Sequence, residues 1–260
     1  MNGTTRCTVA SRFYKIIEPL RQYFGYDLIN RGKFGYDAFL DIQRMSKAWK
    51  FPIECFIDIG ANDGGTAKLA SSYFPLARIY AFEPDPENFA RLVQRMADHR
   101  RFRAYNLALG SQIGEAQLFR CEPSDLNSLV PNGSYAVRFG RQGQSVPVRC
   151  TTLDEFSVVQ NLDMIDVLKV DTEGFDLEVL KGAGRLLRAG TIRFIYCEFN
   201  DILTREGVFG GALAPIAELV TPYGYRFVAT YTDYIRHAAV VPVRDDPYPR
   251  RRTAWSATPT

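Results

Sequence analysis

The chain has 260 residues, enough for one large α/β domain with a full hydrophobic core, or for such a domain plus a short arm. Its hydrophobic share of 46% is that of an ordinary globule, and 32 basic against 29 acidic residues leave a net charge of +3, so no overall field argues for nucleic acid or an anionic membrane surface. The five cysteines, Cys7, Cys55, Cys121, Cys150 and Cys197, are odd in number, widely spaced and without the CxxC or Cys/His pairing of a zinc site, which fits a reducing compartment.

From the N-terminus, MNGTTRCTVASRFYKIIEPL lacks the continuous apolar segment and cleavage site of a signal peptide, and no later run reaches membrane-spanning length; a cytoplasmic protein is expected. The run AFLDIQRMSKAW spaces Phe39, Ile42, Met45 and Trp49 along one helical face, as a core stripe or a cap over a cleft. CFIDIG (55–60) and RIYAFEP (78–84) read as strands, followed by the helices TAKLASSYF and PENFARLVQRMADH, the second with Pro86 at its start. Residues 110–156 break this alternation: GEAQLFRC and SVPVRCTTL are short β-type runs around the polar stretch SDLNSLVPNGSYAVRFGRQGQ, a β-insertion with a mobile binding loop or a disordered insertion. The alternation then resumes with the strand MIDVLKVD (164–171), the helix FDLEVLKGAGRLLRAG (175–190), the strand IRFIYCEF (192–199) and the helix ALAPIAELVTPYG. YRFVATYT and AAVVPV read as two closing strands, and PYPRRRTAWSATPT as a loose tail whose arginines at 250–252 are a solvated charge run.

Strand and helix in alternation predict a doubly wound sheet covered on both faces. The expected division is an N-terminal helical arm over 1–50, a main domain over 51–245 and a tail over 246–260.

The run FIDIGANDGGTAKLA is a strand, a glycine-rich turn and a helix, an arrangement that presents backbone N–H groups and a helix start to an anionic group. A dinucleotide site needs G-x-G-x-x-G, and here the second glycine position is Asn62; the order Gly60, Gly64, Gly65 suits a ligand without a pyrophosphate. S-adenosylmethionine is such a ligand: its methionine carboxylate can sit near the turn, and its two ribose hydroxyls need an acceptor such as Glu83 at the end of the next strand. Glu83 before Pro84 also reads as a plain lead-in to a helix.

In order, DIGANDGGTAKLA, YAFEPDPENFARL, NLALGSQIGEAQLF, TTLDEF and DVLKVDTEGFDLEVLKGA resemble the FkbM-type methyltransferases, S-adenosylmethionine-dependent O-methyltransferases, over residues 51–199. The resemblance implies a class I methyltransferase (Rossmann-like) fold, with a mostly parallel sheet and one antiparallel strand near the C-terminus. It implies a cofactor site of Asp58, Gly60, Ala61, Asn62 and Gly64 around the methionine part, Glu83 on the ribose, and the region of Asn106 to Ala108 near the adenine. Asn106 equally reads as the cap of a turn. The implied acceptor is a hydroxylated small molecule or glycan, with no nucleic-acid partner and no membrane span.

The stretch LKVDTEGFDLEVLKGA sets Lys169, Asp171 and Glu173 at a strand end, where ligands of an open α/β sheet bind. The acids either cap the following helix or face the methyl donor; Lys169, with an apolar neighbour on each side, needs a partner or a ligand. Methyl transfer to a hydroxyl is served by a positioned base, for which Asp171 comes first, Glu173 and Glu198 follow, and His237 is a further candidate. A divalent cation on Asp171 and a neighbouring carboxylate is another way to activate the hydroxyl, although nothing in the sequence fixes a ligand set. The competing readings are a non-catalytic methyltransferase-like binding protein and a nicotinamide-dependent oxidoreductase, the latter disfavoured by Asn62.

Overall fold

The computed structural model describes residues 33–131, 142–199, 202–204, 207–209, 212–232 and 237–241. The chain divides into a unit of residues 1–37 and a unit of residues 38–260; the second carries the fold described below. The tail and the middle of the polar loop, residues 132–141, lie outside the described residues, as does all but a fragment of the first unit.

The main unit is built on a seven-stranded sheet. In chain order its strands are β1 (Cys55–Ile59), β2 (Arg78–Phe82), β3 (Phe102–Tyr105), β7 (Ile165–Val170), β8 (Ile192–Glu198), β11 (Ala229–Thr232) and β12 (His237–Val241). They stand in the spatial order β11-β12-β8-β7-β1-β2-β3, parallel from β3 to β8, with β12 antiparallel to both of its neighbours. The mostly parallel sheet with one antiparallel strand near the C-terminus is therefore present, and the two closing strands pair as expected. The β-insertion is a separate three-stranded sheet of β4 (Ala108–Leu109), β6 (Gln142–Thr151) and β5 (Gly114–Cys121), and β9 (Ile202–Thr204) pairs with β10 (Gly207–Phe209).

Alternation along the strands sends side chains into two cores. Ile57, Ile59, Leu168 and Val170 pack on one face, under α4 (Leu153–Val159), α5 (Asp176–Lys181), α6 (Gly184–Ala189) and α7 (Leu213–Val220). Phe56, Ala81, Val167 and Phe194 pack on the other, under α1 (Ala38–Ala48), α2 (Gly65–Tyr73) and α3 (Pro86–Arg95). The stripe on α1 belongs to this second core: the Phe39 ring meets Phe56 edge-on at 5.5 Å, and Trp49 stacks on Phe194 at 6.0 Å. Its buried Asp41 accepts a hydrogen bond from Tyr231 on β11, tying the helix to the edge of the sheet.

Three local expectations change. The helix expected over 175–190 is two: at the junction a Cβ at Gly182 would stand 2.0 Å from the carbonyl oxygen of Gly110, and the Asp154 carboxylate accepts from the Arg185 and Leu186 N–H groups at the start of α6. The end of the β-type run SVPVRCTTL is a helix start, where Thr152 accepts a hydrogen bond from the Glu155 N–H and opens α4. Two strands without strong sequence signal, β3 and β4, complete the edge of the main sheet and found the insertion. Pro86 occupies the first turn of α3, as the sequence indicates, and the Asp85 carboxylate before it accepts from the Glu87 and Asn88 N–H groups. Among the described residues no helix is long and apolar enough to cross a membrane.

Candidate active site

The parallel strands β1, β2 and β7 end at one edge of the sheet, and a cleft opens beyond them, lined among others by Gly60, Asn62, Glu83, Ala108, Asp171 and Glu173. Its empty space, the open solvent at the mouth included, is about 840 Å³. Three segments that are distant in sequence thus share one concavity, as open α/β sheets provide at the carboxyl ends of their strands.

The turn after β1 is held in place from within. Gly60 has φ 73°, and a Cβ there would stand 1.8 Å from the carbonyl oxygen of Asp171, so only glycine lets β1 and β7 end this close together. Asn62 takes φ 48°, a left-handed conformation that asparagine tolerates better than most residues. The backbone N–H groups of Gly60 and Ala61 donate to the Phe82 carbonyl, that of Asn62 to Glu83 Oε2 at 2.8 Å, that of Gly64 to the Ala61 carbonyl and that of Gly65 to Asp63 Oδ1. The expectation that this turn offers its N–H groups to an anion is corrected here: these five are spent inside the protein. A pyrophosphate would find no ring of donors, a second argument against a dinucleotide beside Asn62.

Glu83 follows β2 and is buried. Its Oε2 accepts from Asn62 and its Oε1 from the Asp85 N–H, 2.8 Å each, so it joins the turn to the start of α3. The ribose reading and the lead-in reading are compatible, since each oxygen keeps a lone pair for a hydroxyl donor. Burial pushes its carboxyl up to about 7, against the pull of these two N–H groups.

Lys169 and Asp58 face each other across β7 and β1, register partners in the parallel pairing, with Nζ 3.0 Å from Oδ1 and both side chains buried. Lys169 also donates to the carbonyls of Gly60 at 2.8 Å and Ile59 at 3.3 Å, and lies 3.6 Å from Asp171 Oδ2. Burial works against both charges: it raises the Asp58 carboxyl, with Lys169 opposing, while Asp58 and Asp171 outweigh it at Lys169 and hold the ammonium above its usual value. At 3.0 Å each charge compensates the other, although Asp58 Oδ2 is buried without a hydrogen-bond donor among the described residues. The buried lysine thus has its partner in the protein.

The chain turns sharply after β7, with φ 53° at Glu173 and 97° at Gly174. Asp171, Glu173 and Glu198, at the end of β8, each bring a carboxylate oxygen within 4.8 Å of the others, a set that could share protons or hold a divalent cation. Burial first, then the charges of Asp171 and Glu173, raise the Glu198 carboxyl well above the ordinary range, and Asp171 is its hydrogen-bond partner. Burial also pushes Asp176, at the start of α5, up to about 7, with Asp171 adding to the effect.

Of the residues expected from sequence, Gly60, Ala61, Asn62, Glu83, Ala108, Lys169, Asp171 and Glu173 line the cleft. Asp58, Gly64 and Asn106 stand outside that lining. Asp58 is closed off under Lys169. Gly64 serves helix packing, since a Cβ there would meet Leu92 Cδ1 at 2.7 Å. Asn106 spends its side-chain amide on the carbonyls of Glu83 and Pro84, 2.9 Å each. The backbone of His237 begins β12 beside Ala238, the register partner of Glu198; its side chain lies outside what is described.

The polar loop of the insertion supplies residues that sequence reasoning did not single out. Ser124, Asp125, Asn127 and Leu129 line the cleft. The limb is fixed at both ends: Ser124 Oγ donates to Asn88 Oδ1 at 3.1 Å and accepts from Arg91, and Ser128 Oγ donates to the Glu173 carbonyl at 2.8 Å. Arg120 braces its root through Asp85 at 2.6 Å and Glu87 at 3.1 Å. The only sequence signal was the serine- and asparagine-rich composition, which also describes a free loop.

The family model described as the methyltransferase FkbM domain matches residues 58–227. A 2-O-methyltransferase, NoeI, from Sinorhizobium fredii is 27% identical over 165 residues, 60% of this chain and 67% of that protein. A hexuronic acid methyltransferase, AglP, from Haloferax volcanii is 30% identical over 143 residues, covering 55% and 54%. Methyltransferase 1 from Beauveria bassiana is 27% identical over 148 residues, covering 51% and 59%. The chain thus spans between about half and two thirds of the length of these relatives. It belongs to the FkbM methyltransferase family, and with that membership come the enzyme class, a methyltransferase, and the methyl donor, S-adenosylmethionine.

Proposed function

We propose that this member of the FkbM family methylates a hydroxyl of a sugar or glycoconjugate. The observation that carries the reading is the meeting of the glycine turn, Glu83 and the carboxylates after β7 in one cleft. Sugar-directed names among the relatives, a 2-O-methyltransferase and a hexuronic acid methyltransferase, support the acceptor class.

When bound, S-adenosylmethionine supplies an electrophilic methyl carbon on a sulfonium. The Gly60–Asn62 turn gives shape to the methionine end, and Glu83 accepts from the ribose hydroxyls. Asp171 is half-buried and lines the cleft; it takes the proton of the acceptor hydroxyl as the new C–O bond forms and the C–S bond breaks. Lys169 stands 3.6 Å behind Asp171 as its cationic partner, while Glu198 keeps a proton and donates to it. Holding acceptor oxygen and methyl carbon in line supplies most of the remaining acceleration.

Asp171 and Glu173 line the cleft while Lys169 is already paired with Asp58, so an anionic acceptor group would be repelled and a neutral hydroxyl is preferred. Calorimetric titration with S-adenosylmethionine and NADH, followed by transfer of a labelled methyl group to a panel of neutral sugars and hexuronic acids, tests the reading. Binding of the first ligand alone, with label on a neutral hydroxyl, is expected. NADH binding, or no binding of either ligand, overturns it.

A further inference from the structure

The limb that folds back from β5 contributes more than a wall. Its root is fastened to the α3 start that Glu83 also holds, through Arg120 on Asp85 and Ser124 on Asn88. On the other side of Glu83, the strand end carries Leu107 and Ala108 into the cleft. Leu107, Leu118 and Leu129 therefore give this end of the cleft apolar walls, suited to the flat faces of a base, while Asp125 and Asn127 are the polar groups beside them. Asn127 Oδ1 accepts from the Cys121 N–H at 2.8 Å, which fixes the side-chain amide and leaves its amino group to donate. Asn106, the residue expected near the base, has committed its own amino group to two backbone carbonyls.

We propose that Asn127 and Asp125 read the edge of the cofactor's adenine, Asn127 donating to a ring nitrogen and Asp125 accepting from the exocyclic amine. The inference rests on S-adenosylmethionine being the ligand of this cleft. Adenine presents a ring acceptor beside an amino donor, and hypoxanthine reverses both, with an N–H beside a carbonyl. A fixed donor paired with a carboxylate accepts the first pattern and leaves both of its own groups mismatched against the second.

The test compares S-adenosylhomocysteine with its deaminated counterpart, S-inosylhomocysteine, by calorimetry on the full chain. The unaltered protein should prefer the adenosyl ligand by roughly 10-fold or more. Asn127→Asp keeps an oxygen for the Cys121 N–H but replaces the donor by an acceptor, and should abolish or invert the preference. Asp125→Asn, at an exposed residue, should weaken adenosyl binding and narrow the preference; it carries the test if a thermal melt shows Asn127→Asp to be unfolded. An unaltered protein that prefers the adenosyl ligand, with the same ratio in the folded variants, overturns this inference alone. Failure of the unaltered protein to bind either ligand overturns it together with the cofactor assignment.

Discussion

Lys169 and Asp58 form a buried ion pair, 3.0 Å apart on neighbouring parallel strands, directly beneath the turn that borders the cleft. Removing one partner leaves the other charge buried and uncompensated. Lys169→Met should therefore destabilise the protein by about 3–5 kcal/mol, and adding Asp58→Asn should recover most of the loss. Thermal and urea melts of the single and double variants measure this. A double variant as unstable as the single one would show that Lys169 acts through its carbonyl contacts instead of the pair.

Glu83 makes cofactor affinity depend on pH. Its folded pKa of about 7 lies above the ordinary value of 4.5, so the free protein holds this proton more tightly than the unfolded chain does. Stability from this group is full below the unfolded value and is lost as pH rises through about 7. Ribose hydroxyls are donors and favour the carboxylate, so binding of S-adenosylmethionine should tighten as pH rises across that value, with proton release. Titrations in buffers of different ionisation heat detect the proton. Glu83→Gln should weaken binding by roughly 10-fold or more and flatten the pH dependence.

Gly60 is a fold residue before it is a cofactor residue. Even Gly60→Ala puts a methyl group into the Asp171 carbonyl and imposes a positive φ on alanine, so loss of several kcal/mol of stability or failure to fold is expected. A melt, and not a ligand titration, is the informative assay. Normal stability of Gly60→Ala would contradict the close approach of β1 and β7.

Asp171→Asn keeps the shape of the strand end and removes the charge facing the cleft. Turnover should fall by roughly 100-fold or more, while affinity for S-adenosylmethionine changes little. Loss of activity in the unaltered enzyme on chelation, restored by magnesium, would mark the three carboxylates as a cation site. Near-normal turnover by Asp171→Asn would remove Asp171 from the chemistry.

Asp176 gives the free protein an acid-side advantage. Its folded pKa, about 7 against an ordinary value of 3.8, means that stability from this group is lost as pH rises through about 7. The melting temperature should rise from pH 8 to pH 6, and Asp176→Asn should reduce that rise. An identical pH profile in the variant would refute the assignment.

The sequence by itself determined the central strands β1, β2, β7 and β8 and the start of α3, because these follow from nearest-neighbour chemistry: apolar runs that a two-sided sheet buries, and Pro86 at a helix start. Ordered motifs also pointed to the family and to Gly60, Asn62, Glu83 and Asp171 beside one cleft. Only the tertiary structure decided which of several roles each residue takes, because partners distant in sequence compete for the same atoms. Lys169 read as needing a partner or a ligand until β1 brought Asp58 against it. The turn read as an anion cradle until β2 accepted its N–H groups. Asn106 and Asn127 are the same residue type near the same cleft, and nothing local tells them apart. Asn106 meets two carbonyls and is spent, while Asn127 meets one N–H and keeps its donor. The carbonyls that spend Asn106 lie 23 and 22 residues away in sequence, so only the fold brings them to it.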